Sequence, residues 1–313
     1  MTYSIVAIDP ATGDLGVAVQ SKFLAVGAVV PWARAGVGAI ATQSFANVRY
    51  GPDGLALLAE GKTAAETMGC LVAADDLRAE RQAGIVGAAG DSATHTGRSC
   101  FAWAGGRLGD GFAAQGNILA GASVVDALAV TFLADGRPFP ELLVACLAAA
   151  DAAGGDRRGR ESASLLVVRA GGGYGGGNDR WIDLRVDHHD DPIGELGRLL
   201  DLQHLYFDRP DPATLQPVNG AVAAEIRTIL EGIGGGPGGR FGKVYAPMSG
   251  LPTDEPGQRP FVGQPRAFPA NWDDSWQRAL TEWMSVENLE ERGAAPGWID
   301  PQVLRILRSR RSP

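Results

Sequence analysis

A chain of 313 residues with 45 % hydrophobic and 20 % charged residues can hold one large domain or two unequal ones, with a sizeable core. A net charge of −8 excludes a dedicated nucleic-acid binder, which would carry a basic stripe. No run of about 18 apolar residues excludes a membrane-spanning helix, and with no cationic, then apolar leader at the start the cytoplasm is the expected location.

TYSIVAID (2–9) predicts a strand. PATGD (10–14) predicts a turn, where proline presets φ and Gly13 accepts a positive one, and LGVAVQS (15–21) is the returning strand. Residues 25–44 hold two more apolar runs, broken at Pro31 and Gly36. They are continuous rather than alternating, so both strand faces are expected to be covered. Residues 51–76 predict two helices, the second opened by a capping box of Thr63 with Glu66. Residues 81–97 read as strand–turn–strand and 100–119 as short strands with glycine turns. Helices are predicted at 123–135 and 139–155, strands at 162–170 and 180–187, and a closing helix at 192–209. Tight turns between consecutive strands favour antiparallel pairing, and grouped helices favour outer layers. The expected fold is α+β, a four-layer αββα sandwich spanning residues 1–208.

Residues 209–220 (RPDPATLQPVNG) read as a linker, and 221–313 as a small helical module with helices at 221–236, 273–292 and 300–311. Trp272, Trp276, Trp283 and Trp298 are expected to supply most of its core. The odd set Cys70, Cys100 and Cys146 holds no CxxC pair, so free, buried thiols in a reducing compartment are expected.

The chemistry concentrates at the opening. Removal of Met1 would leave Thr2 as the terminus. An N-terminal threonine carries a nucleophile in its hydroxyl and a general base in its α-amine, whose ordinary pKa of about 7.7–8.0 suits neutral pH. The alternative is that Thr2 only begins a strand. Ser4 shares the Thr2 face by the period of two and is placed to hydrogen-bond the attacking group. Ser21 and Lys22 end the returning strand, where Lys22 would depress the amine's pKa. Gln43 and Asn117 are candidate amide donors to an oxyanion, with a strand-end polar residue and an N-cap as their plainer readings.

Asp156 and Arg157 sit in a polar corner, GGDRRGRES (154–162), that either binds a substrate carboxylate through arginine or pairs internally, with Asp156 orienting a neighbour. GGGYGGGNDR (171–180) lacks the strand–glycine loop–helix context of a dinucleotide site. It reads as a loop over a cleft, with Asn178 touching substrate. DHHDD (187–191) alternates faces, so its side chains are not expected to converge on a metal.

MTYSIVAIDPATGDLGVAVQSKFLAVGAVVPWARAGVGAIATQSFANVRYGPDGLALLAEG, with ERQAGIV, QGNILAG, AGGDRRGRESASLLVV and GGYGGGNDRWIDLRVDHHDDPIGEL, resembles the bacterial domain of unknown function 1028 family over about residues 1–208. That family is grouped with the N-terminal-nucleophile (Ntn) hydrolases, so the resemblance implies their four-layer fold and amide-bond hydrolysis. QPVNGAVAAEIRTILEGIG, WDDSWQRALTEWMSVENLEERG and IDPQVLRILR resemble a peptidoglycan-binding-like module, interrupted here by a Gly/Pro-rich insertion at 246–271. With no export signal seen, docking or oligomerisation is as good a role for this tail as wall binding.

The reading is thus an Ntn amidohydrolase of a small amide or acyl-amino substrate, needing no metal or organic cofactor, and a homo-oligomer. The alternative is a non-catalytic binding or scaffold protein that keeps the fold and uses its tail for partners.

Overall fold

The computed structural model describes residues 2–241 and 262–310. The chain separates into two compact units, residues 1–200 and 201–313. Met1 and residues 246–261 of the predicted insertion lie outside the described residues.

The first unit is built on two antiparallel sheets. Strands β1 (Thr2–Ile8) and β2 (Leu15–Ser21) form a hairpin whose turn is organised by Asp9. Its carboxylate accepts from the Ala11 N–H at 2.9 Å and the Thr12 hydroxyl at 2.8 Å, while Gly13 supplies φ +77°. β3 (Pro31–Arg34), β4 (Gly38–Ser44), β5 (Arg81–Gly87) and β6 (Ser92–Thr96) form a four-stranded sheet in that order. β7 (Gly105–Gly109), β8 (Phe112–Asn117), β9 (Ser162–Val168) and β10 (Arg180–Val186) join the first hairpin in a six-stranded sheet, ordered β10-β9-β2-β1-β8-β7.

Alternation along β1 shows why its apolar run is unbroken. Tyr3, Ile5 and Ala7 enter a cluster with α3 (Ala122–Ala134), α4 (Phe139–Ala152) and the first turns of α5 (Pro192–Phe207). Val6 and Ile8 instead meet Ala39, Ala41 and Val86 of the other sheet. A third cluster sets Ile40 and Ile85 of that sheet against Leu58, Met68 and Leu71 of α1 (Tyr50–Ala59) and α2 (Ala64–Ala73). α2 opens on the expected capping box, with Glu66 N–H on the Thr63 hydroxyl and Thr63 N–H on the Glu66 carboxylate.

Asp75, 9 % exposed, ties this layer to the loop after β4. It accepts from Arg81 Nε at 2.9 Å, Asn47 Nδ2 at 3.0 Å and the Leu77 N–H at 2.9 Å. Burial alone would raise its carboxyl, but those three bonds outweigh it and hold the group well below the ordinary carboxylate range. A depressed folded pKa adds stability above the unfolded pKa of about 4, lost as pH falls below it. Asp75→Asn is therefore expected to cost about 3 kcal/mol at pH 7 in urea unfolding. The deficit against wild type should narrow steadily below about pH 4.

The second unit packs α6 (Gly220–Gly232), α7 (Asp274–Val286) and α8 (Pro301–Ser309), capped by Asn219, Asp273 and Asp300. A two-residue ladder pairs β11 (Gln216–Pro217) with β12 (Trp298–Ile299). Trp272, Trp276 and Trp283 are buried together, as expected. Trp298 is not in that core. It lies on the ladder, with its Nε1 donating to the Gln264 carbonyl at 2.9 Å and Arg266 over its ring. α7 stops at Val286 instead of running to 292, because Asn288 turns to φ +56° before a 3₁₀ turn. Arg292, 6 % exposed, donates to Asp300 at 2.5 Å and to the carbonyls of His204 and Asp208.

Only one cysteine is buried. Cys70 is exposed, Cys100 is half-buried, and burial among α4 neighbours pushes the Cys146 thiol up to about 12. Among the described residues no helix is long and apolar enough to cross a membrane.

Candidate functional site

The face of the six-stranded sheet that meets its partner sheet is apolar along most of its length and turns polar at one end. Its cross-strand rows show the gradient. Ala113, Val6, Val17 and Leu166 form one row, and Gln115, Ser4, Val19 and Ser164 the next in the same direction. The last row is Asn117, Thr2, Ser21 and Ser162, polar at every position. Exposure along it is 1 %, 6 %, 0 % and 0 %. Thr2 stands second in that row, paired on both sides, so the backbone at the tip of β1 is held by two neighbours. Its Oγ1 lies 3.0 Å from Ser21 Oγ.

Beneath this row a chain of buried side-chain amides joins the two sheets. Gln115 Nε2 donates to Ser4 Oγ at 2.6 Å, and Ser4 Oγ donates to Gln43 Oε1 at 2.7 Å. Gln43 Nε2 donates to Gln82 Oε1 at 2.8 Å and reaches the Thr2 carbonyl at 3.4 Å. Asn117 Nδ2 donates to the same Gln82 oxygen at 2.9 Å. Gln82 Nε2 in turn donates to the Gly116 carbonyl at 2.7 Å and to Thr96 Oγ1 at 3.0 Å. A polar group buried without a partner costs about 1–3 kcal/mol, and in this set Gln115 Oε1 is left without one among the described residues.

Strain gathers at the same end. Ser44 closes β4 at φ +70°, Ile118 follows β8 at +53°, and Ala25 lies four residues past β2 at +53°. For a β-branched residue such as Ile118 this conformation is a genuine outlier. Strained residues of this kind persist where the surroundings over-determine them, and they cluster at functional sites.

The model described as "Family of unknown function (DUF1028)" matches residues 2–196. The chain belongs to the DUF1028 family. Protein SPO2555 from Silicibacter pomeroyi, a DUF1028 crystal structure, is similar at 30 % identity and TM-score 0.60, over 65 % of this chain and 89 % of that one. Residues 263–307, which hold α7 and most of α8, match a model described as "Putative peptidoglycan binding domain". No curated protein matches the chain.

The DUF1028 unit gathers most of the expected site residues, while Lys22 and Asn178 lie apart from them. Thr2, Ser21 and Asn117 share the polar row, and Ser4 and Gln43 lie in the amide chain directly below. Gln43 is not free to hold an oxyanion: its oxygen takes the Ser4 proton, and its nitrogen serves Gln82 and also reaches the carbonyls of Thr2 and Gln115. Lys22 turns away from Thr2. Its Nζ donates to the Arg160 carbonyl at 2.9 Å and pairs with Glu161 at 2.6 Å, so it is not placed to tune an amine. The residue after Ser21 takes the opposite side of the chain, and the carboxylate is found there. Asn178 lies at the far end of the sheet. β9 pairs Ser162 with Ser21 but Val168 with Leu15, so the loop between β9 and β10 sits about 20 Å from Thr2, near the β1–β2 turn. There Asn178 Oδ1 accepts from the Arg180 N–H at 2.8 Å.

Asp156 and Arg157 do come to the site. Sheet order puts β1 between β2 and β8, and this corner is bonded to the exits of both flanking strands. Asp156 Oδ2 accepts from the Lys22 N–H at 3.1 Å, while the Arg157 N–H donates to the Ile118 carbonyl at 3.3 Å. The corner therefore bridges over the tip of β1. His188 and His189 diverge, His188 to Glu161 and His189 to the Asp191 N–H, and among the described residues no three such groups converge as a metal site.

Gln82, Gln115 and Ser162 were not among the expected site residues. Their signal is a buried polar residue toward one end of an otherwise apolar strand, as in RQAGIVG and SASLLVV.

Proposed function

We propose that this DUF1028 chain is an N-terminal-nucleophile amide hydrolase, with its first unit a four-layer αββα sandwich and Thr2 as both nucleophile and base. The observation that carries the reading is the Thr2 hydroxyl, 3.0 Å from Ser21 Oγ at the head of a fully paired strand. Removal of what precedes Thr2 frees its α-amine. Oγ1 attacks the amide carbon of a small acyl-amino substrate, and the amine takes the hydroxyl proton. Asn117 Nδ2 spends one N–H on Gln82 and has a second for the developing oxyanion. The amine then protonates the leaving nitrogen as the C–N bond breaks, leaving an ester on Thr2. Water, deprotonated by the same amine, attacks that ester, releasing the acid and restoring the hydroxyl. Ser21 orients Oγ1 throughout, and the Asp156 corner fixes the strand exits around the amine.

Intact-mass measurement of the natively expressed protein is expected to give a chain beginning at an unblocked Thr2. A retained Met1 or an acetylated Thr2 would remove the base and overturn the mechanism.

A further inference from the structure

Two aromatic rings stand exposed beside the Thr2 row although their backbones are tied down. Phe45 and Phe101 are 56 % and 59 % exposed, with ring centroids 6.5 Å apart and planes tilted by 52°. Phe45 immediately follows strained Ser44. Its N–H donates to the Glu80 carbonyl at 3.4 Å, and its carbonyl accepts from Arg81 Nη1 at 2.5 Å. The Phe101 carbonyl accepts from the Ile118 N–H at 2.9 Å, one residue past Asn117. Both anchors belong to the structure around Thr2: Gln43, two residues before Phe45, reaches the Thr2 carbonyl, and Asn117 pairs with Thr2 itself. Phe45 follows the strand toward which the Thr2 side chain points, since Ser4, on the same β1 face, reaches Gln43 of β4.

Arg157 supplies the complementary charge. Its side chain is exposed on the corner that crosses the β1 tip, and no carboxylate is paired with it among the described residues. The neighbouring cations are committed: Lys22 to Glu161, Arg158 to Asp156, and Arg160 to Asp151. The tip of β1 thus has an aromatic pair anchored beside it and, on the corner that crosses it, the Arg157 guanidinium without a carboxylate partner among the described residues.

We propose that the site takes N-aroyl or N-arylacetyl amino acids, the Phe45–Phe101 pair seating the aryl end and Arg157 holding the carboxylate, with the amide between them at Thr2. As a statement about substrate this rests on the hydrolase reading, but the binding it requires is separable from turnover. Aryl rings stack favourably on tilted aromatic pairs, and a guanidinium binds a carboxylate through two parallel N–H bonds.

The test is calorimetric titration of the full-length Thr2→Ala protein with three probes: benzoylglycine, acetylglycine and benzamide. Benzoylglycine is expected to bind at least about tenfold more tightly than either fragment. Phe101→Ala should erase its advantage over acetylglycine, and Arg157→Gln its advantage over benzamide. Binding within about twofold for all three probes, no binding by any, or a preference that survives both substitutions would overturn the proposal. Selective binding with no glycine released by the wild-type protein would sink the hydrolase reading and leave the subsites standing. Hydrolysis of acetylglycine and benzoylglycine at equal rates would do the reverse.

Discussion

Thr2→Ala is expected to abolish amide hydrolysis, lowering kcat at least about 10³-fold, while Thr2→Ser keeps it within about tenfold of wild type. Alanine retains the α-amine and the strand but removes the only atom that forms the acyl bond. Serine keeps that atom and loses a methyl group. Misfolding does not explain such a loss, because the Thr2 hydroxyl contacts Ser21 Oγ at 3.0 Å, and one neutral bond is worth about 1 kcal/mol. Thr2→Ala should therefore unfold within a few degrees of wild type. The wild-type rate should rise with pH as the α-amine loses its proton, an ionisation ordinarily near 7.7–8.0, and N-terminal acetylation should remove both the rate and the profile. Comparable rates from Thr2→Ala and wild type would eliminate Thr2 as the nucleophile.

What the sequence disclosed and what it hid divide along one physical line. Local chemistry was legible. The β1–β2 hairpin follows from Pro10 and Gly13, the α2 start from Thr63 and Glu66, and the shared face of Thr2 and Ser4 from the two-residue period. Contacts made across the gap between sheets were not. Nothing in RQAGIVG says that Gln82 meets Gln43 and Asn117, since that depends on how two sheets are stacked and not on either strand. The Gly-rich loop reads as a cleft cover until strand order is known, and the pairing of Val168 with Leu15 then sends it to the far end. Lys22 failed for a related reason: its carboxylate, Glu161, is 139 residues away in sequence.

Gln82→Leu is expected to destabilise the first unit by about 3–5 kcal/mol, lowering its melting temperature by about 10 °C, although leucine is apolar and close in volume. The amide chain is directional. Protons run from Gln115 to Ser4 to Gln43, and those of Gln43 and Asn117 converge on one Gln82 oxygen. Removing that acceptor leaves two buried donors facing hydrocarbon. Losing the nitrogen also strips the Gly116 carbonyl of a bond at 2.7 Å. Gln82→Glu distinguishes lost bonds from lost shape. A carboxylate still accepts from Gln43 and Asn117, but it offers an oxygen where Gly116 needs a donor, and burial raises its pKa. With the folded pKa above the unfolded value of about 4.3, the neutral acid is favoured by folding, so this variant should be most stable at low pH and weaken as pH rises through the folded pKa. Gln82→Leu should show no such slope. Because Asn117 and the Thr2 carbonyl hang from the same node, both variants should also lose kcat where they remain folded. A leucine variant as stable as wild type would mean that the two sheets do not depend on this chain to hold their register.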